Sequence, residues 1–112
     1  MSLTFNEYQQ GAISTNLAKS DQLQELMQQV LGLGDEAGEV QAIFKKWIRD
    51  NNADIALLDT KNVAKELGDI LWYIAVVAHD LGLSLGDIAQ TNHDKLKSRA
   101  ERGTLRGSGD NR

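Results

Sequence analysis

The apolar residues of this chain recur at intervals of three and four along four successive segments, and no proline interrupts any of them. Such spacing places apolar side chains on one face of a helix, whereas a half-buried strand would alternate apolar and polar residues. We therefore predict an all-α chain whose four helices, joined by short links, form a four-helix bundle.

Capping residues and glycines mark the ends of these helices. A capping box of Thr4 and Glu7 begins the first helix, and Gly82 is the expected C-cap of the third. The predicted helices run from Thr4 to about Ala18, from Asp21 to about Arg49, from Asp59 or Thr60 to about Leu81, and from Ser84 to about Arg102.

A chain of 112 residues has the size of one small domain. We assign residues 1–103 to the helical domain and predict a flexible, glycine-rich tail over residues 104–112. No apolar run reaches the roughly 18 residues of a membrane span. The absence of a secretory signal and of cysteine favours the cytoplasm. A net charge of −4 disfavours a long nucleic-acid partner.

Two pairs of carboxylates lie within the second and third predicted helices. Glu36 and Glu39 form the first pair, and Glu66 and Asp69 form the second. Residues three apart are neighbours on one helix face, so two facing helices would gather all four carboxylates. Because these like charges repel one another, and because Mg²⁺ prefers oxygen ligands, we interpret the cluster as a magnesium site. The alternative is that each pair decorates a solvated helix face.

Both acidic motifs also contain a glycine, Gly38 in the first and Gly68 in the second. Glycine inside a helix is about 1 kcal/mol less favourable than alanine, so its presence indicates close backbone approach or tight packing. Together with Gly32 and Gly34, Gly38 also leads us to expect a kink or break in the second helix before the acidic pair.

The fourth predicted helix has a polar and basic face. Asn92, Lys95, Arg99 and Arg102 follow one another at helical intervals. Arginine forks match phosphate geometry, and a basic row together with a magnesium site is typical of polyphosphate binding. The alternative is a solvated surface whose basic residues suit the C-terminal end of the helix dipole.

Four residues on the acid-bearing helices are further candidates for substrate contact. Lys46 follows the first acidic pair and could reach a phosphate, or it could be a solvated lysine. Tyr73 follows the second pair and could contact a base or ribose, as could Trp47 or Trp72. The alternative for these aromatic residues is a place in the core.

These motifs resemble the MazG-like family of all-α nucleoside triphosphate pyrophosphohydrolases. The resemblance covers most of the chain and is most specific for the acidic pairs. It rests on the segments 32–40 and 65–73, on Lys45 and Lys46, on Asn92, Lys95, Leu96 and Arg99, and on the tail 102–112.

The resemblance implies a bundle of the all-α NTP pyrophosphatase type that hydrolyses (d)NTP to (d)NMP and pyrophosphate with Mg²⁺, or with Mn²⁺ in its place. Such an enzyme would clear non-standard or surplus nucleotides. Its metal ligands would be Glu36, Glu39, Glu66 and Asp69, and either Glu36 or Glu39 would activate the attacking water. The predicted substrate-binding residues are Lys46, Tyr73, Asn92, Lys95, Arg99 and Arg102.

Two alternatives to this function stay open. The same chemistry could act on phosphoribosyl-ATP or on a nucleoside diphosphate, and a helical module could bind nucleotide for regulation without turnover.

The second predicted helix has more apolar surface than one small bundle can cover, which predicts an obligate homodimer or homotetramer. The resemblance implies the same, with sites near the subunit interfaces. In a dimer, Arg106 and Arg112 of one tail could reach the phosphates bound by the neighbour. The residues of this apolar face are Leu23, Leu26, Met27, Val30 and Leu31.

Overall fold

A computed structural model describes residues 2–17 and 21–112 of the chain, and within these ranges the structure is entirely helical, as predicted. A single turn of 3-10 helix, Ile55–Leu57, lies in the link between the second and third helices. The four helices are α1 (Phe5–Ser14), α2 (Gln22–Asn51), α3 (Thr60–Asp80) and α4 (Leu85–Arg102).

The predicted capping residues begin their helices. The Thr4 hydroxyl accepts a hydrogen bond from the Glu7 amide, and the Glu7 carboxylate accepts one from the Thr4 amide, each 3.0 Å long. Ser84 accepts a hydrogen bond from the Asp87 amide at the start of α4. The predicted end of the first helix near Ala18 lies outside the described residues, and the described helix ends at Ser14.

Helix α2 runs without a break through its glycines, so the expected break before the acidic pair does not occur. Gly32 has a packing role, because a β-carbon there would lie 2.3 Å from Cε1 of Tyr73. At Gly38 and Gly68 a β-carbon would meet no atom of the described chain within 4 Å. The tight packing predicted at these two positions is therefore absent within a single chain.

Helices α2 and α3 form an antiparallel hairpin. Gly32 lies against Tyr73, and further along α2 the Glu36 carboxylate lies near Glu66 and Asp69. Rising residue numbers on α2 therefore meet falling numbers on α3. This direction brings the two acidic motifs to the same level of the hairpin.

Helix α1 joins the end of α3 to the start of α4 through the buried side chain of Gln9. Its amide nitrogen donates to the carbonyls of Ala75, at 3.1 Å, and Leu83, at 3.0 Å, and its amide oxygen accepts from the Leu85 amide at 3.1 Å. The bonds to Leu83 and Leu85 satisfy backbone groups at the turn where the chain bends by 105° between α3 and α4. No single helix in the described ranges is long and apolar enough to cross a membrane. Helices α3 and α4 together, as a bent pair, reach that length and apolar composition.

The core of the chain is small and lies between α1, α3 and the start of α4. Its buried residues are Ala12, Ala75, Val76 and Leu85, against which Tyr8, Leu71, Trp72, Tyr73 and Ile74 pack.

One chain by itself leaves an unusually large surface exposed. Its solvent-accessible area is 8339 Å², against about 6,100 Å² expected for a compact monomer of this mass. The radius of gyration is 17.2 Å, against about 13 Å for a compact domain of this length. Large apolar side chains are exposed along the described chain, and a group of them lies on the first half of α2. The large exposed side chains there are Leu23, Met27, Val30 and Leu31.

Candidate metal centre

Three carboxylates meet between α2 and α3. One oxygen from each of Glu36, Glu66 and Asp69 lies within 4.8 Å of the others. The i, i+3 spacing on α3 places Glu66 and Asp69 on one face, and the antiparallel register places Glu36 opposite them. Oxygen donors at this separation suit a hard divalent cation such as Mg²⁺, so the three side chains fit that metal.

Glu39, the fourth predicted ligand, lies outside this three-carboxylate group. It lines a cavity of about 300 Å³ together with Glu66, and its negative charge acts on Glu36. The structure thus brings three of the four predicted ligands together and leaves the fourth at their edge.

The negative charges of the clustered carboxylates repel one another when no cation is bound. The pKa of Glu36 lies above its ordinary value, first because Glu36 shares a hydrogen bond with Glu66. Partial burial raises this pKa further, as do the negative charges of Asp69, Glu66 and Glu39. In the described part of the chain, no lysine or arginine forms an ion pair with the three carboxylates. A divalent cation would supply the missing positive charge.

On one side of the carboxylates, Trp72 and Tyr73 line a cavity of about 410 Å³ that also contains Glu36 and Asp69. The two rings meet edge to face, with centroids 5.0 Å apart. The indole nitrogen of Trp72 donates a 2.8 Å hydrogen bond to the Thr15 hydroxyl. Tyr73, a predicted substrate contact, therefore lies beside the acidic group.

Helix α1 contributes residues to this region that sequence reasoning missed. Thr15 and Trp72 also border a second, mainly apolar cavity of about 300 Å³ whose other lining residues include Tyr8 and Gly11. The pKa of Tyr8 is raised, first by burial and then by the negative charge of Asp69. No acidic or basic motif in α1 signalled this role, because it depends on how α1 packs across α3.

On the other side of the carboxylates, Lys46 and Trp47 line the cavity that contains Glu39 and Glu66. The Trp47 indole nitrogen donates a 2.7 Å hydrogen bond to the Asp54 carbonyl, which holds this ring against the link between α2 and α3. The structure thus brings Lys46 close to the acidic motifs. Asn62, which sequence reasoning did not single out, lines the same cavity.

The polar and basic face of α4 lies elsewhere in the chain. Asn92 and Lys95 line a separate cavity beside the turn between α3 and α4. Arg99 is buried, with 4% of its surface exposed, and it bonds to Asp110, as does Lys95. Arg102 donates hydrogen bonds to Ser98 and to the Arg112 carbonyl. None of these four predicted substrate-binding residues lines a described cavity that contains an acidic motif.

Comparison with known proteins adds an independent line of evidence. The family model of the MazG nucleotide pyrophosphohydrolase domain matches residues 23–104, a span that includes both acidic pairs and all of α4. The chain is also similar to the Gene 37 protein of Mycobacterium phage L5, with 39% identity over 101 residues, which cover 90% of this chain and 89% of the phage protein. No solved structure gives a significant match.

Proposed function

Because this chain belongs to the MazG nucleotide pyrophosphohydrolase family, we propose that it is a Mg²⁺-dependent enzyme that hydrolyses nucleoside triphosphates to nucleoside monophosphates and pyrophosphate. The observation that supports this most strongly is the meeting of Glu36, Glu66 and Asp69 within 4.8 Å on two facing helices. A polyanionic substrate would need a cation between itself and such a group.

In this proposal Glu36, Glu66 and Asp69 hold the metal, and Glu39 lies beside it. Bound Mg²⁺, or Mn²⁺ in its place, would polarise phosphate oxygens and make a bound water more acidic. Glu36 or Glu39 would orient the attacking water and accept its proton. Glu39 is the better candidate for this role, because it lies outside the three-carboxylate group and its oxygens need not all be used as ligands.

The two cavities beside the carboxylates support one orientation of the bound substrate. The cavity with Lys46 offers one cation and the amide of Asn62 to the phosphates that leave as pyrophosphate, beside the carboxylates of Asp50 and Asp59. The cavity with Tyr73 and Trp72 offers aromatic rings, and it shares Thr15 and Trp72 with the mainly apolar cavity beside α1. This lining suits the nucleoside. The α-phosphorus would then lie between the two cavities, beside the carboxylates.

We also propose that the enzyme is a homodimer or homotetramer. A single chain exposes about 2,200 Å² more surface than a compact monomer of its mass would. For two chains this excess is about 4,400 Å², which is in the range of total area that obligate homodimers bury. A symmetric partner could cover the apolar face of α2. It could also bring the basic face of its own α4 to the carboxylates, which the same chain's α4 does not approach.

A panel of canonical and modified nucleoside triphosphates, assayed with and without Mg²⁺, tests the proposed function. Release of pyrophosphate and nucleoside monophosphate is the expected result. Release of inorganic phosphate instead, or turnover limited to phosphoribosyl-ATP or a nucleoside diphosphate, would assign a different substrate to the same site. Tight, metal-dependent nucleotide binding without any turnover would instead establish a regulatory module.

A further inference from the structure

The last ten residues of the chain, which we call the C-terminal segment (Gly103–Arg112), fold back onto the basic face of α4. The Asp110 carboxylate accepts a hydrogen bond from the Lys95 ammonium at 2.9 Å and another from Nη2 of Arg99 at 3.1 Å. The main-chain carbonyl of Asp110 also accepts a hydrogen bond from Nη2 of Arg99. The segment therefore places one anionic group on the two cations that sequence analysis singled out as phosphate contacts.

A network of hydrogen bonds holds this segment in place. The Arg112 guanidinium donates to the carbonyls of Thr104, at 3.1 Å, and Leu105, at 3.0 Å, so the segment closes on itself. Leu105, its one large apolar residue, is 52% exposed, and Asp110 is exposed as well. Asp110, the anionic partner of both ion pairs, is exposed, whereas its partner Arg99 is buried. A segment with no fully buried apolar side chain opens at low cost.

Arg99 is only partly satisfied by the C-terminal segment. Both of its hydrogen bonds to Asp110 use the same nitrogen, Nη2. Its Nε is buried and has no hydrogen-bond partner in the described part of the chain. A phosphate could accept from Nε and Nη2 together through two oxygens, which is the paired geometry that guanidinium groups favour. The two cations are thus a better match for a phosphate than for the single carboxylate now beside them.

The family resemblance already implies that Lys95 and Arg99 contact substrate phosphates. We propose that the C-terminal segment is an internal ligand of this pair, which a phosphate-bearing molecule displaces. The choice of pyrophosphate as that molecule rests on the proposed function. The site itself needs neither the metal nor turnover. In the closed state Asp110 competes with the ligand, so the segment lowers the affinity of the site until the ligand is abundant.

Inorganic pyrophosphate, titrated into the full ¹⁵N-labelled chain in the presence of EDTA, tests this proposal. Without divalent metal, ligand binding to the carboxylates is removed from the measurement, and loss of hydrolysis cannot affect the result. We expect the Arg99 Nε–H resonance to shift as pyrophosphate binds, and we expect the backbone of residues 104–112 to become mobile by heteronuclear NOE. A segment that stays rigid at saturating pyrophosphate, or an unshifted Arg99 resonance, would overturn the proposal.

Two charge-matched variants measure the competition. Asp110→Asn removes the carboxylate charge of the internal ligand, so we expect this variant to bind pyrophosphate about threefold to tenfold more tightly than the wild-type chain. Asp94→Asn removes the same charge from an exposed position on α4 that bonds only to Gln90. It should change the affinity much less. Equal affinities for these two variants, or weaker binding by Asp110→Asn, would show that Asp110 is no competitor.

Lys95→Gln tests the site at its more exposed cation and leaves the buried Arg99 unchanged. It should lose pyrophosphate binding by about tenfold or more while the described helices stay intact. Unchanged binding by Lys95→Gln would place the pyrophosphate elsewhere and refute the site.

Discussion

The ring of Tyr73 lies directly over Gly32, so close that a β-carbon on Gly32 would be 2.3 Å from Cε1 of the ring. Gly32 is one helical turn before Glu36 on α2, and Tyr73 is one turn after Asp69 on α3. The contact therefore sets the register of the hairpin immediately beside the carboxylates. A shift of either helix at this point would move the acidic group as well.

We expect Gly32→Ala to destabilise the chain by about 1–3 kcal/mol, the range for an overpacked site. Trp72 lies edge to face against Tyr73, so the tyrosine ring has little room to move away from the added methyl group. Urea unfolding of the metal-free chain measures the change. Gly34→Ala is the control, since a β-carbon there meets nothing within 4 Å, and it should stabilise the helix by up to about 1 kcal/mol. Equal effects of the two substitutions would contradict this role for Gly32.

The carboxylates should be essential for activity but not for folding. We expect Asp69→Asn and Glu39→Gln each to reduce turnover by at least about a hundredfold. Asp69→Asn should also raise the melting temperature of the metal-free chain, because the charge of Asp69 acts unfavourably on Glu36. Asp80→Asn, at the other end of the same helix, is the charge-matched control and should retain activity. Wild-type turnover in Asp69→Asn would remove Asp69 from the site.

The contribution of Glu36 to the stability of the metal-free chain should become less favourable as pH rises above about 4.5. The folded-state pKa of Glu36 is raised above its ordinary value of 4.5, chiefly by the hydrogen bond with Glu66. Between the ordinary pKa of 4.5 and the raised folded-state pKa of Glu36, the folded chain binds more protons at this carboxyl than the unfolded chain does. Folding is therefore penalised as pH rises through this window, and the penalty is complete above the raised pKa.

Melting temperatures measured in EDTA across this window test the effect. The difference between the wild-type chain and Glu36→Gln isolates the contribution of Glu36, since the other titrating groups are common to both. Addition of Mg²⁺ should stabilise the wild-type chain near neutral pH more than it stabilises the variant. A difference that does not change with pH would contradict the assigned titration.

Lys46 should bind substrate phosphates, because it lines the same cavity as Glu39 and Glu66. We expect Lys46→Gln to lose about 1.5–3 kcal/mol of interaction with the substrate, the range for hydrogen bonds to charged groups. The ratio kcat/KM measures this loss. Lys45→Gln removes the same charge from an exposed neighbour that lines none of the described cavities, and its kcat/KM should stay near the wild-type value. Equal losses in both variants would return Lys46 to the role of a solvated lysine.

The apolar face of α2 should hold subunits together. Light scattering should give a mass of at least twice the 12.3 kDa of one chain. Leu31→Glu places a charge on a side chain that is 68% exposed in the single chain, and we expect it to dissociate the oligomer. Gln24→Glu adds the same charge at an exposed polar position and should leave the mass unchanged. An active wild-type monomer would refute both the interface and a site shared between subunits.

The sequence by itself determined the helices and the pairing of the carboxylates, because both depend on local spacing. The Thr4 and Glu7 capping box, the start of α4 at Ser84 and the all-helical fold follow from backbone hydrogen bonding and periodicity within a few residues. The family resemblance was also readable from the sequence, since the acidic pairs lie in contiguous motifs.

Only the tertiary structure decided which side chains meet across helices, because such contacts depend on register and helix direction rather than on spacing. It placed Glu36 with Glu66 and Asp69 but left Glu39 at their edge. It also showed that, among the glycines of α2 and α3, Gly32 rather than Gly38 or Gly68 is required by close packing. The basic face of α4 lies away from the carboxylates because the chain turns sharply after α3. A hydrogen bond between Gln9 and the Leu85 amide fixes the start of α4 at this turn. No local sequence pattern predicts this long-range contact.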